Sequence, residues 1–252
     1  MLVAALDTAT LSLSCALVEL GPGGAARVRA ERTEHAPARP APGATGGHGG
    51  RLPGALVELL EAEGVRLADV DAYAIGIGPG SFTGLRIGLA TWKGLAYASR
   101  RPIAGASSLA AMALAAAPDA REGELLVPLL DAKKGEVYAG FYRAARGALE
   151  AVLPEAALAP EALLDRLAAL PGAVAFGEGY AAYAARLEGK LGRLATSIAA
   201  PRAAAVAALA APRLQGAAFD AQALFALEPH YVRPSEAELK FPKGFGPGAS
   251  KT

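Results

Sequence analysis

A chain of 252 residues with 53% hydrophobic content can bury one large core or two modest ones, and its length stands at the boundary between those cases. Its net charge of +1 leaves no electrostatic footprint for nucleic acid, so a partner must supply much of the grip on any RNA it serves. The lone Cys15 excludes an internal disulfide, the most apolar stretch, 107–117, is too short to span a bilayer, and the first residues read as a strand instead of a signal peptide; these features predict a cytoplasmic chain away from membranes.

Leu6-Asp7-Thr8-Ala9-Thr10 leads into Leu11-Ser12-Leu13-Ser14-Cys15-Ala16-Leu17-Val18: a strand, an Asp, a short turn and a second strand. Cys15 lies in that second strand and reads as a buried, inert thiol. A third strand is predicted around 27–32. Residues 34–50 are dense in Ala, Pro and Gly and read as a mobile interruption. His35 and His48 within it, and His230 near the far end, read as solvated or incidental, because no cluster of His, Cys, Asp and Glu has ligand spacing. A helix-period segment at 52–63 then precedes a strand through Ala72-Tyr73-Ala74-Ile75-Gly76-Ile77.

At Gly78-Pro79-Gly80-Ser81-Phe82-Thr83-Gly84 this strand ends sharply and a helix, 84–98, opens, with Ser81 or Thr83 placed to cap it. Such a turn receives either an anion or another stretch of backbone. Free N–H groups at a helix start favour phosphate or carboxylate, which makes Gly78, Gly80, Ser81 and Thr83 a candidate anion or nucleotide loop. Glycines that only turn the chain and pack a helix closely need no ligand. The spacing makes a dinucleotide-binding reading weak, excludes a P-loop and does not frame a nucleophile elbow. The glycines are one residue too wide for a dinucleotide fingerprint, and the next predicted strand, 102–104, ends in Gly105-Ala106-Ser107 without an acidic ribose ligand. No Lys-Ser or Lys-Thr pair follows the glycines, and Ser81 is not framed as a Gly-x-Ser-x-Gly elbow. In the helix, Gly84 and Gly88 stand four apart, with Thr91, Trp92 and Leu95 on nearby turns; the stripe begins small and ends apolar. Pattern alone divides it evenly between the chain's own sheet and a helix from outside. Arg86 reads either as an exposed helix charge or as a clamp on a partner or a loop-bound anion.

The second half repeats the first as pattern. Leu130-Asp131-Ala132-Lys133-Lys134 leads into Gly135-Glu136-Val137-Tyr138-Ala139-Gly140-Phe141-Tyr142, a further strand is predicted around 149–153, and Ala173-Val174-Ala175-Phe176-Gly177-Glu178-Gly179 matches 72–78. Two matches in the same order on the same elements indicate a duplication: an α/β chain of two β-β-β-α-β-α lobes, 1–118 and 119–233, with a flexible tail at 234–252. An Asp after a strand accepts hydrogen bonds from turn N–H groups, so Asp7 and Asp131 are predicted to organise the two hairpin turns instead of serving as acid and base.

The glycine loop with the following Lys93-Gly94-Leu95-Ala96, the opening 6–10, the run 131–138 and the closing Pro229-His230-Tyr231-Val232-Arg233 resemble the TsaB family, whose members are needed for threonylcarbamoylation of the tRNA adenosine next to the anticodon. The likeness covers most of the chain. It implies a duplicated actin-like fold of the ASKHA, or sugar-kinase and heat-shock-ATPase, class. It also implies a heterodimer with the homologous catalytic subunit TsaD, the ATPase TsaE as a further partner, tRNA reached through the complex, and a homodimer when the chain is alone. The first-lobe helices 52–63 and 84–98, with Gly84, Arg86, Gly88, Trp92 and Leu95, are then the partner interface. TsaD-like proteins hold a metal with a His-x-x-x-His pair on one helical face; here His48 is followed four residues later by Leu52. The resemblance therefore implies no metal and no cofactor in this chain, with ATP or ADP and metal on TsaD, on TsaE or at the subunit junction.

Three function classes follow. The first is a noncatalytic subunit without catalytic activity alone, which matches an actin-like chain lacking the metal pair. The second is an independent ATP-dependent kinase or ATPase, suggested by Asp7 and Asp131 at the turns where that fold holds phosphates and magnesium; Asp7-Thr8-Ala9-Thr10 lacks a glycine for close approach to a phosphate. The third is a peptidase, suggested by older labels on the wider family and opposed by the lack of a recognisable Ser or Cys triad.

Overall fold

The computed structural model describes residues 1–35, 48–145 and 148–233. Most of the segment read as a mobile interruption, 36–47, and the tail read as flexible, 234–252, lie outside the described residues. Strands β1 (Leu2–Asp7), β2 (Ser12–Leu20), β3 (Ala26–His35), β4 (Ala72–Gly76) and β5 (Ile103–Ala106) form one sheet in the order β3-β2-β1-β4-β5. Strands β6 (Leu125–Lys133), β7 (Glu136–Ala145), β8 (Ala148–Leu158), β9 (Ala173–Phe176) and β10 (Gly192–Arg193) form a second sheet with the same connectivity, β10-β9-β6-β7-β8. In each, the leading strand pairs antiparallel with its hairpin partner and parallel with the fourth strand.

Eight helices complete the described fold: α1 (His48–Ala62), α2 (Phe82–Ser99), α3 (Ser108–Ala116), α4 (Pro160–Leu167), α5 (Glu178–Ala182), α6 (Ala184–Leu187), α7 (Ala203–Leu214) and α8 (Ala221–Ala226). Ser81 caps α2, its hydroxyl oxygen accepting from Gly84 N at 3.2 Å, and Ser107 caps α3 in the same way from Ala110 N at 3.1 Å. Helix α2 ends at Arg100, which takes the left-handed conformation at φ 52°.

Because β1 is central, both of its faces are buried, and its period of two divides the core. Ala4 and Leu6 face α1 and α2 together with Cys15, Leu17, Tyr73, Ile75, Leu89 and Trp92. Val3 and Ala5 face α7 with Ala16, Val18, Ala72 and Ala74. The helices between the sheets are exchanged: α7, from the second half of the chain, covers the first sheet, while α3, from the first half, packs on β6, β7 and β8, and the two helices touch each other. The outer face of the second sheet is closed by Leu163, Leu167, Tyr180 and Leu187 from α4, α5 and α6.

Two differences from the sequence reading have physical causes. The β-β-β-α-β-α repeat extends by a fifth strand in each lobe: β5 is the strand predicted at 102–104, shifted to 103–106, whereas β10 is two residues long and too short to give a strand pattern by itself. Glu34 and His35 continue β3, which runs three residues past 32. Its charged residues, with Arg32 ion-paired to Glu34 and Glu58 and Arg29 to Glu63, lie on an edge strand bonded only to β2, where polarity is tolerated and protects the edge.

Small side chains let α7 lie close on the first sheet: Ala203, Ala207, Ala210 and Ala211 are all buried. Replacing Ala207 with Leu should overpack this seam and cost about 1–3 kcal/mol. A reduced urea midpoint with an unchanged m-value checks it.

Candidate functional site

The first hairpin turn lies inside the protein, and glycines make the room. A Cβ at Gly76 would meet the Asp7 carboxylate and Ser108 Oγ, one at Gly80 would meet Ala9, and one at Gly88 would meet the Thr8 side chain, each well inside contact distance. Thr8 Oγ1 also donates to Gly84 O at 2.9 Å, and Ser81 N donates to Ala9 O at 2.6 Å. Gly78, at φ 99°, swings the chain from β4 into this seat, and Gly177, at φ 101°, repeats the move after β9. The glycine loop thus receives another stretch of backbone. Gly78 N donates to Ser108 Oγ, Ser81 N to Ala9 and Gly84 N to the Ser81 cap, so three of the N–H groups that would greet an anion are already engaged. Thr83 is exposed outside this arrangement.

Asp7 is 1% exposed. Its Oδ1 accepts from Ala9 N at 2.8 Å and its Oδ2 from Ser108 Oγ at 2.6 Å. Burial pushes its pKa up to about 6, against the opposing effect of those hydrogen bonds. Asp131 makes the equivalent turn bond, accepting from Lys133 N at 2.8 Å, but stands near the surface with Lys133 Nζ at 2.6 Å and Tyr183 OH at 3.3 Å. Partial burial raises its pKa, and the Lys133 and Tyr183 interactions outweigh that and hold it below the usual carboxylate range. A magnesium-bound phosphate would need an accessible carboxylate at the first turn; Asp7, with both oxygens bonded internally, does not fit one. Leu52, in the place of a second histidine, is buried in the core, and no group of three or more potential metal ligands occurs among the described residues. Burial pushes the Cys15 pKa to about 12, away from nucleophilic chemistry.

A second polar cluster joins the lobes, and sequence reasoning missed it. Glu155, on β8, accepts through Oε1 from both Ser107 and Tyr142, and its Oε2 lies 3.3 Å from His230 Nε2, within ion-pair range though not aligned as a hydrogen bond. Burial and the Glu155 charge both raise the Tyr142 pKa, so Tyr142 stays a donor. The His230 side chain is half exposed beside Glu155, and its backbone N–H donates to Ile77 O at 2.7 Å. Likewise His35 Nδ1 lies 2.7 Å from Ser12 Oγ. The neighbours of His230 continue the tie: Tyr231 stacks on Phe82 and accepts from Arg86 Nε, and Arg233 donates to Ala132 O and to Glu136. Glu155, standing in the otherwise apolar run 151–158, was the one sequence signal of this cluster. Ser107 and His230 approach the same carboxylate from two sides, whereas a hydrolytic triad needs the imidazole between hydroxyl and carboxylate.

The proposed interface residues divide. Gly84, Gly88 and Trp92 face inward: Gly84 and Gly88 border the buried turn, and Trp92 is fully buried, donating from Nε1 to Ala4 O at 3.1 Å. As surfaces for a partner they are corrected, since helical period identifies a stripe but not the side it faces. Arg86 is exposed and Leu95 partly so. On α2, Thr83, Ala90 and Gly94 are exposed, with Ile87 and Thr91 partly buried between them; on α1, which contacts α2, Gly54, Val57, Glu58 and Glu61 are exposed, and open space surrounds the Cβ directions of Gly54 and Gly94.

Two sheets of order 3-2-1-4-5, with buried parallel neighbours and exchanged central helices, define a duplicated actin-like α/β protein. Residues 42–241 match the TsaD family, tRNA N6-adenosine threonylcarbamoyltransferase. The tRNA threonylcarbamoyladenosine biosynthesis protein TsaB of Escherichia coli is 37% identical over 54% of this chain and 59% of its own length. Its Haemophilus influenzae counterpart is 37% identical over 53% of this chain and 50% of its own. The matches span about half the length of these curated relatives. YeaZ from Pseudomonas aeruginosa superposes with a TM-score of 0.69 at 31% identity, over 91% of this chain and 99% of that one. A P. aeruginosa protein described by similarity to peptidase YeaZ gives 0.72 at 32%, over 92% and 99%. The chain belongs to this TsaD-related family, among its TsaB members. No helix among the described residues is long and apolar enough to cross a membrane.

Asp7 has a raised folded pKa, so its contribution to stability is complete below pH 4 and is lost as pH rises through about 6. Relative to Asp7→Asn, the parent should therefore gain on the order of 2–3 kcal/mol between pH 7 and pH 4, measured by urea unfolding at each pH. Gly88→Ala should destabilise by about 1–3 kcal/mol through the clash with Thr8. Gly94→Ala, on the open side of the same helix, should stabilise by up to about 1 kcal/mol, and thermal melts distinguish the pair.

Proposed function

We propose that the chain is a noncatalytic subunit for N6-threonylcarbamoyladenosine formation on tRNA, acting with TsaD and TsaE. The observation that carries this reading is the retention of a TsaB-like fold over nine-tenths of the chain while the turn that would hold phosphate and metal is filled by the protein's own Asp7, Thr8 and Ala9. The names of the curated relatives support the pathway. In this reading nucleotide and metal belong to TsaD, TsaE or the subunit junction, tRNA is bound through the complex in the cytoplasm, and the chain pairs with itself when TsaD is absent.

The outward faces of α1 and α2 are the proposed partner surface. Val57 is 51% exposed there, and Gly54, Ala90 and Gly94 are small enough for another helix to approach closely. Mixing the chain with TsaD, TsaE, tRNA and threonylcarbamoyl-adenylate should yield modified adenosine only when this chain is present. ATP turnover by the isolated chain at an enzyme-like rate would favour the kinase class instead. Gly94→Arg, which extends into open space, should keep its circular dichroism and melting behaviour yet weaken TsaD binding by about tenfold or more and reduce modification in step. Undiminished co-elution of this variant with TsaD would move the surface off α2.

A further inference from the structure

We infer that Arg86 is a receptor for a single carboxylate on the partner subunit, held ready by Phe82 and Tyr231; this rests on the subunit reading above. The guanidinium carbon lies 3.9 Å from the Phe82 ring centroid, and Nε donates to Tyr231 OH at 3.1 Å. The two rings stack on each other with centroids 5.4 Å apart and planes 30° apart. Arg86 is therefore fixed by a cation–π contact and by its inner nitrogen, which leaves Nη1 and Nη2 as the donors still available.

Among the described residues neither terminal nitrogen has an acceptor, and no carboxylate lies within ion-pair distance. Other ordered arginines are answered internally: Arg51 by Glu34, Arg202 by Glu31 and Arg233 by Glu136. A long side chain that is immobilised without an ion pair has surrendered rotamer freedom for little return among the described residues. What the arrangement offers is a planar two-donor fork at the surface, flanked by Phe82 and Tyr231, 43% and 44% exposed. A carboxylate matches that fork with two parallel hydrogen bonds.

The surroundings select a protein carboxylate over an RNA backbone. The exposed or partly exposed positions of α2, namely Thr83, Ile87, Ala90, Thr91 and Gly94, carry no charge, and the exposed face of α1 carries Glu61 and Glu58, the latter paired with Arg32. Lys93 is turned to Phe225 O at 3.0 Å. A polyanion needs several cations in a row to be held at physiological salt, whereas one carboxylate needs one fork.

The test is calorimetric titration of the full-length chain with TsaD. Arg86→Ala and Arg86→Met should each weaken binding about 30-fold, the Met variant keeping the packing on Phe82, and Arg86→Lys should lose about tenfold because a point charge cannot replace the fork. Alanine replacement of acidic residues on the TsaD surface should reveal one position whose effect is not additive with Arg86→Ala. A parent complex that Arg86→Ala and Arg86→Met leave unchanged overturns this inference while sparing the subunit reading. Full binding by Arg86→Lys, or a loss confined to tRNA affinity, also overturns it. Absence of any complex between parent chain and TsaD overturns the subunit reading and this inference with it.

Discussion

The burial of a three-residue turn governs the first lobe. Asp7, Thr8 and Ala9 leave β1 pointing into the space between β4 and α2, and that space exists because Gly76, Gly80 and Gly88 present no side chains to it. Thr8 then hydrogen-bonds the first turn of α2 and Ala9 accepts from the loop before it, so the position and tilt of α2 are set from beneath. Trp92, two turns further on, reaches Ala4 in the same strand. The outward face of α2 is consequently a rigid surface, and Phe82 and Arg86 at its start inherit that rigidity.

The two lobes share a topology and have diverged in what their turns do. Both Asp residues accept from the N–H two residues on, which is the geometric trace of the duplication. In the second lobe Asp131 keeps solvent contact and a lysine partner. In the first, Asp7 is enclosed with a serine hydroxyl and no cation, and its burial works against its charge at neutral pH. A turn filled in this way holds a helix in place at the expense of a ligand pocket. The seam between lobes is instead occupied by the Glu155 cluster and by residues 230–233, which touch Ile77 and Phe82 on one side and Glu155 and Glu136 on the other.

Much of this was legible in the sequence because it is written locally. The hairpins at 6–18 and 130–142, the glycine stop after β4 and the cap at Ser81 each rest on residues within a few positions of one another. The side of α2 that faces inward was not legible: Gly84, Gly88, Trp92 and the opposite stripe are both compatible with a 3.6 period, and only the location of Thr8 decides between them. Nor could the sequence reveal the Glu155 cluster, whose members Ser107, Tyr142, Glu155 and His230 come from four separate elements. β10 is two residues long and gains its strand character from pairing with β9.

The exchange of α3 and α7 has a consequence for the order of events during synthesis. All five strands of the first sheet have been made by Ala106, yet the helix that covers Val3, Ala5, Val18 and Ala74 begins at Ala203, almost a hundred residues later. At ribosomal rates of roughly 5–20 residues per second, that apolar face waits on the order of 5–20 s for its cover. The nascent first lobe is therefore a half-coated sheet, an appropriate client for a chaperone that binds apolar strands. Its native packing is completed only after the second lobe has emerged.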